Sequence, residues 1–349
     1  MSKRQYVKIF SDMADYLGLI SGDIDAVSLR NKDILDGAAM HCLYLVQDIE
    51  GGCEADCAYC TQSSSSKRNQ KDSYLIDKSL LRYPLTKLIS IIEKGLIEKR
   101  NIRRICFSSL HNKNSLEDAL DVITQIRAVT DVPITALHIP EPKEGFEALK
   151  KAGADRIGVA LEVAEEKLFE KIRGKERQNS PYSWDGVQKA LDAAIDVFGK
   201  GNVGTHLLIG LGETQEEAAR CMQDLYDRSV DVSLFSFCPA EGTDLENHER
   251  PTYQSYHAIQ IVKLLMMTKT ARFSDMSFDS DGNITDFGIS EEEFDSILKS
   301  GKAFRNIGGC PDCNRIYYET SIHERYYNFP RDPKPCELEV VAAELKRTH

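Results

Sequence analysis

Short apolar, β-branched runs alternate along this chain with longer stretches whose apolar positions recur every three or four residues. The runs at 42–48 (Cys-Leu-Tyr-Leu-Val-Gln-Asp), 102–108, 133–138, 156–161, 203–209 and 230–237 predict strands. Stretches 75–98, 116–128, 145–152, 184–198 and 214–227 predict amphipathic helices between them. That alternation is the mark of repeated βα units around a parallel sheet. Further on come a helix over 253–268, a weaker strand over 272–278, a helix over 290–298 with Ser290 and Glu293 at capping-box spacing, and a strand over 303–307. These bring the count to eight strands. The expected architecture is α/β, a (β/α)8 TIM-type barrel, closed or nearly closed. Before it, Val7, Ile9, Phe10, Met13, Tyr16 and Leu17 at helical spacing predict a helical preface. The organisation is a preface over 1–36, a barrel over 37–309 and a C-terminal segment over 310–349 that ends in a helix at 337–346.

Composition narrows what such a barrel does. At 349 residues the chain fits one large domain with trimmings. A net charge of −11 argues against a nucleic-acid surface, which needs a concentrated basic patch. There is no long apolar run, and the charged start Met1-Ser2-Lys3-Arg4-Gln5-Tyr6 precedes neither an apolar core nor a cleavage pattern. Neither membrane nor secretion is expected, and the predicted location is cytoplasmic. Ten cysteines are many for such a chain, and five of them fall in two tight groups. In a reducing compartment, clustered cysteines read as metal or redox sites rather than disulfides.

The first group, Gly51-Gly52-Cys53-Glu54-Ala55-Asp56-Cys57-Ala58-Tyr59-Cys60, directly follows the first predicted barrel strand. Loops after barrel strands are where such folds carry chemistry. Three thiols at C-x3-C-x2-C can hold three corners of a [4Fe-4S] cluster and leave the fourth iron without a protein ligand. A molecule offering an amine and a carboxylate, such as the methionine portion of S-adenosylmethionine, can chelate that iron and bring its sulfonium beside a reducible cluster. Three ligands of a structural zinc site are the alternative, though zinc knots favour paired C-x2-C units and no second pair lies nearby. The polar run Ser63–Arg68 reads as a flexible loop.

With these residues the chain resembles the radical S-adenosylmethionine (SAM) superfamily, and several positions take roles from that resemblance. Cys53, Cys57 and Cys60 are implied ligands of the SAM-binding cluster, with Tyr59 against the cluster and adenine. Glu162, ending Val159-Ala160-Leu161-Glu162, is implied at the ribose hydroxyls, and Arg173 at the methionine carboxylate, which a guanidinium binds as a planar fork. In Leu207-Leu208-Ile209-Gly210-Leu211-Gly212-Glu213-Thr214, Gly210 and Gly212 are implied to let backbone approach adenosine, with Glu213 opening the next helix. Phe237-Cys238-Pro239-Ala240 is a further adenine candidate. The Gly-Gly-Glu triplet common after the second strand is replaced by Ser108-Ser109-Leu110-His111, as in biotin synthases.

Within the superfamily the chain is similar to biotin synthase-related enzymes over roughly residues 40–310. Cys106 matches one thiol of the second cluster of biotin synthase, but Thr135 and the Gly204-Thr205-His206 stretch stand where that enzyme has its other two cysteines. Gly309-Cys310-Pro311-Asp312-Cys313-Asn314-Arg315, with Tyr317-Tyr318 and Tyr326-Tyr327-Asn328-Phe329-Pro330, resembles the biotin synthase-like subunits of two-component lipoyl synthases. That resemblance implies a second [4Fe-4S] cluster consumed as sulfur source, with Cys310 and Cys313 as first candidates, then Cys106 and Cys336; a serine such as Ser321 is a further candidate, because a harder, more labile oxygen ligand would ease release of one iron as the cluster is consumed. It also implies partners: a second radical SAM subunit, an octanoylated lipoyl carrier protein or domain, and an electron donor such as ferredoxin or flavodoxin in an anaerobic or well-reduced cell. Cys42 is disfavoured because about six residues of strand, roughly 20 Å, separate it from the loop. Cys221 reads as core. The alternatives are another biotin synthase-like radical enzyme whose second cluster donates no sulfur, and a zinc-stabilised binding protein.

Overall fold

The structure, a computed structural model, describes residues 4–17, 19, 39–49, 51–68, 74–75, 78–305, 309–311, 313 and 324–346. Its main sheet has nine strands: β1 (Tyr6–Phe10), β2 (Cys42–Gln47), β3 (Tyr74–Leu75), β4 (Lys78–Pro84), β5 (Arg104–Ser108), β6 (Ile134–His138), β7 (Arg156–Val159), β8 (Val203–Ile209) and β9 (Val230–Ser236). They run in the order β3-β4-β1-β2-β5-β6-β7-β8-β9. The six from β2 to β9 are parallel, each joined to the next through at least one helix, so the α/β, TIM-type architecture expected from the alternation is present. Both faces of β2 are buried, with Cys42, Leu43 and Leu45 fully inaccessible, as a parallel strand between helices and barrel interior requires.

How strongly the sheet curls is visible at residues 309–313. The Cys313 sulfur lies 3.1 Å from the Tyr44 hydroxyl on β2, while the Gly309 amide donates to Ser233 Oγ on β9 at 2.6 Å. Five strand spacings separate β2 from β9, roughly 24 Å in a flat sheet. Four residue steps span at most about 14 Å. Only a sheet rolled toward a barrel brings both ends to one short segment.

Several expected elements differ. Among the described residues of the preface, the helix covers only Ser11–Tyr16, because Val7 and Ile9 pair as a strand with β2 and β4. Those apolar positions satisfy a period of two as well as a helical one, and the open edge of β2 decides between them. Where a helix was expected over 75–98, Lys78–Pro84 is a strand, followed by helices Leu85–Glu93 and Leu96–Lys99 broken at Gly95, whose φ is +66°. Among the described residues, the seventh and eighth expected strands are not part of the main sheet. Residues 273–275 form a 3-10 turn and Ser277–Phe278 pairs only with Ile284–Asp286; Lys302–Phe304 is also a 3-10 turn. Sheet growth instead comes from β1 and β4, antiparallel on the outer side of β2. Ser290 and Glu293 form the expected capping box. Among the described residues, no helix is long and apolar enough to cross a membrane.

Candidate functional site

The chain reverses at the end of β2 through Gly51 and Gly52, at φ of +84° and +76°, a region other residues rarely enter. The following loop is pinned by backbone from three directions. The Cys53 amide donates to Gln62 O, Glu54 to His111 O and Ala58 to Ile172 O. Its centre is buried Asp56, which accepts from Ser63, Ser65 and the Arg177 guanidinium; Arg177 also bonds the Asp56 carbonyl and Asp244. Burial alone would raise the Asp56 pKa, but Ser65, Arg177 and Ser63 hold it below the ordinary carboxylate range. The run Ser63–Arg68 is therefore a tied structural loop.

All three thiols of this loop line one pocket, with Tyr59, Ser108, His111, Glu162, Arg173, Tyr182 and His206. Burial pushes the Cys57 thiol up to about 11 and raises Cys53 and Cys60 as well. Thiolates in such surroundings need a cationic partner, and a cluster of iron ions supplies one. Among the described residues, no three His, Cys, Asp or Glu side chains close on a single ion. Sulfurs that hold a cubic cluster bind different irons and bracket a volume instead, so the donor set fits an iron-sulfur cluster better than a zinc ion.

Around the thiols stand groups suited to a zwitterionic nucleoside ligand. Arg173 is buried over the Tyr182 ring, 4.4 Å from its centroid, and its Nε has no hydrogen-bond partner. Burial alone would lower its pKa, but Tyr59, Cys57, Tyr182 and Glu162 together raise it. Arg173 stands at the C-terminal end of the helix Glu166–Ile172. Glu162 adopts a left-handed backbone with φ of +67°, rare for such a side chain. The conformation is held by hydrogen bonds on both sides, Glu162 N to His206 O and Leu208 N to Glu162 O, each 2.8 Å. Strain of this kind persists where surrounding structure enforces it, often at ligand sites. The Glu162 carboxylate lies 3.7 Å from His206 Nδ1.

Gly210, Gly212 and Glu213 do not line this pocket. Glu213 accepts from the Gly210 and Leu211 amides, and burial lifts its pKa to about 6 despite those bonds. Gly210 has φ of +105°, and a Cβ there would meet Pro251 Cδ at 2.5 Å. These residues brace the turn before helix Gln215–Asp227, which Thr214 and Glu217 cap reciprocally. His111, Tyr182, His206, Asp56 and Arg177 are the site residues that sequence reasoning missed. Asp56 lay inside the cysteine motif and was readable as a loop anchor; Arg177 carried no local signal.

Cys310 and Cys313 lie inside the barrel below the first loop, toward the N-terminal ends of the strands. Thr135 Oγ1 is 3.8 Å from Cys310 Sγ, Arg104 Nε donates to Pro311 O at 2.8 Å, and Arg156 bonds both Gly309 O and Asp231. Cys106 points into the same space, and Cys42, disfavoured on reach, is beside Cys313, because segment 309–313 comes down to it. Cys336 is exposed on the first turn of the terminal helix, Pro335–Leu345. Cys221 is partly buried against the core, and Ser321 lies outside the described residues.

Three comparisons bear on this arrangement. The chain is similar to the biotin synthase of Clostridium botulinum (strain Loch Maree / Type A3), 23% identical over 252 residues, covering 70% of this chain and 71% of that protein. It is 25% identical over 232 residues to the biotin synthase of Coxiella burnetii (strain Dugway 5J108-111), covering 64% and 66%. Its fold is similar to the crystal structure of methylornithine synthase (PylB), with a TM-score of 0.50 at 15% identity over 72% of this chain and 73% of that one. The family model of the radical SAM superfamily matches residues 49–225, half of the chain, spanning the cysteine loop, Glu162, Arg173 and the Gly210 turn. The chain belongs to the radical SAM superfamily.

Proposed function

We propose that this radical SAM enzyme inserts sulfur into an unactivated C–H bond of a protein-bound octanoyl group, as one subunit of a two-component lipoyl synthase. The observation that supports the reading best is the stacking of two thiol groups within one barrel interior. On β2, Val46 lines the upper pocket and Tyr44, two residues below and roughly 7 Å away, touches Cys313. A sulfur donor and a hydrogen-abstracting radical must flank the same carbon, and two thiol groups stacked in one barrel interior suit that requirement.

In the upper site Cys53, Cys57 and Cys60 would hold the [4Fe-4S] cluster, which when bound would supply the electron for reductive cleavage of SAM. Alkyl C–H bonds lie beyond side-chain acid-base chemistry, so the cofactor carries that step. The chain's own residues bind and orient. Arg173 takes the methionine carboxylate, Glu162 the ribose hydroxyls, and Tyr59 shields the cluster. Cys310 and Cys313, with Cys106, hold a second [4Fe-4S] cluster that enters as the sulfur-donating substrate; Cys336, exposed on the outside, is the weakest of the four candidates. The partners on this reading are a second radical SAM subunit, an octanoylated lipoyl carrier and a ferredoxin- or flavodoxin-type donor.

The test is a single turnover on an octanoyl-lysine peptide, with the partner subunit present and the clusters reconstituted from isotopically labelled sulfide. Labelled sulfur in the product is expected. A sulfur-free product with the second cluster intact would contradict insertion and favour a different biotin synthase-like radical reaction.

A further inference from the structure

The ladder registers define one row of side chains across four strands of the barrel interior. Tyr44 on β2 is opposite Cys106 on β5, Cys106 opposite Thr135 on β6, and Thr135 opposite Arg156 on β7. Register partners in adjacent strands point to the same face. Three of the four touch the segment that carries the C-terminal cysteines: Tyr44 Oη lies 3.1 Å from Cys313 Sγ, Thr135 Oγ1 lies 3.8 Å from Cys310 Sγ, and Arg156 bonds Gly309 O at 3.1 Å. Cys106, between Tyr44 and Thr135, therefore faces the gap between the two sulfurs. Two residues below Tyr44 on the same face is Cys42, fully buried and opposite Arg104, whose Nε holds Pro311 O. The turn that returns the Cys313 amide to Cys310 O keeps both of its thiols on this side.

We propose that Cys42, Cys106, Cys310 and Cys313 together hold the second iron-sulfur cluster in the floor of the barrel, with the Tyr44 and Thr135 hydroxyls hydrogen-bonded to the sulfurs of Cys313 and Cys310. The assignment rests on the second cluster of the reading above and adds Cys42 in place of Cys336. Four thiolates leave every iron with a protein ligand, unlike the upper site. No substrate atom then needs to bind this cluster before chemistry begins. Hydroxyls on the ligand sulfurs withdraw charge from them, the kind of outer contact that tunes such a centre.

The experiment reconstitutes the full chain anaerobically, counts iron per chain, and records EPR spectra of the reduced protein with and without SAM. Wild type is expected to hold about eight iron. Cys42→Ala is expected to fall to about four, keeping the signal that responds to SAM and losing the one that does not, whereas Cys336→Ala keeps about eight. Cys42→Ser preserves side-chain volume should the alanine variant misfold, and its SAM-insensitive signal is expected to shift or disappear. Cys42 variants with about eight iron and an unchanged SAM-insensitive signal would overturn the ligand assignment while leaving sulfur insertion intact. A wild type with only about four would remove the second cluster and that reading with it.

Discussion

The two thiol groups share a barrel and are built in opposite ways. The upper one comes from eight consecutive residues on a loop after β2, braced from beneath by Asp56 and Arg177 and opening on a pocket. The lower one is assembled from β2, β5 and a segment that returns 269 residues after Tyr44, and strand side chains rather than loop backbone position it. A contiguous loop can offer three ligands and leave one iron for an exchangeable molecule. A group gathered from distant parts of the fold encloses what it holds. On the proposed reading, the difference suits one site that turns over a cofactor and another that keeps its cluster until it is used.

Removing a ligand is expected to separate the two most sharply. Cys53→Ala should abolish SAM cleavage to 5′-deoxyadenosine and lower iron from about eight to about four, leaving the lower cluster in place. Loss of all iron would mean that the groups are not independent. The next effect comes from the two arginines that brace them. Arg177→Ala strands buried Asp56 with only its serine partners, and Arg156→Met releases Gly309 and Asp231. Each is expected to cost about 2–3 kcal/mol by denaturant titration. Arg177→Ala should speed iron loss from the upper site only, and Arg156→Met from the lower only; the same pattern from both would break the comparison.

A smaller effect is pH-dependent. The folded-state pKa of Glu213 is raised, so its contribution to stability is complete below about pH 4.5 and is lost as pH rises through about 6. The loss amounts to about 1–2 kcal/mol. Glu213→Gln should remove that part of the stability change between pH 4 and 7, and an unaltered profile would refute the assignment. The smallest stability effect is at Glu162. Glu162→Gly relieves a left-handed backbone and is expected to change stability by no more than about 1 kcal/mol, favourably, while weakening SAM binding by about tenfold or more. Calorimetry with SAM distinguishes the two; unchanged affinity would mean that the strained carboxylate does not touch the ligand.

Much of this was legible in the sequence where the signal was local. The six parallel strands follow β-branched runs, and the Cys53 motif is contiguous. Glu162 and Arg173 were readable as strand-end and helix-end positions, though not the φ of +67° that aims the first nor the Tyr182 ring beneath the second. The N-terminal strand was misread because Val7 and Ile9 fit strand alternation while Val7 and Phe10 fit a helical face, and only pairing with β2 and β4 decides. The serine run looked flexible because its tie, Arg177, is 121 residues from Asp56. Cys42 looked too far from the action because a distance along one strand says nothing about a segment arriving from the other end of the chain.

The most direct test of the central claim counts iron and sulfide in the anaerobically reconstituted wild type and in the Cys310→Ala, Cys313→Ala double variant. About eight iron is expected in the wild type and about four in the variant, with SAM cleavage retained. About four in both proteins would rule out the second cluster, leaving a single radical-generating cluster and no second source of sulfur.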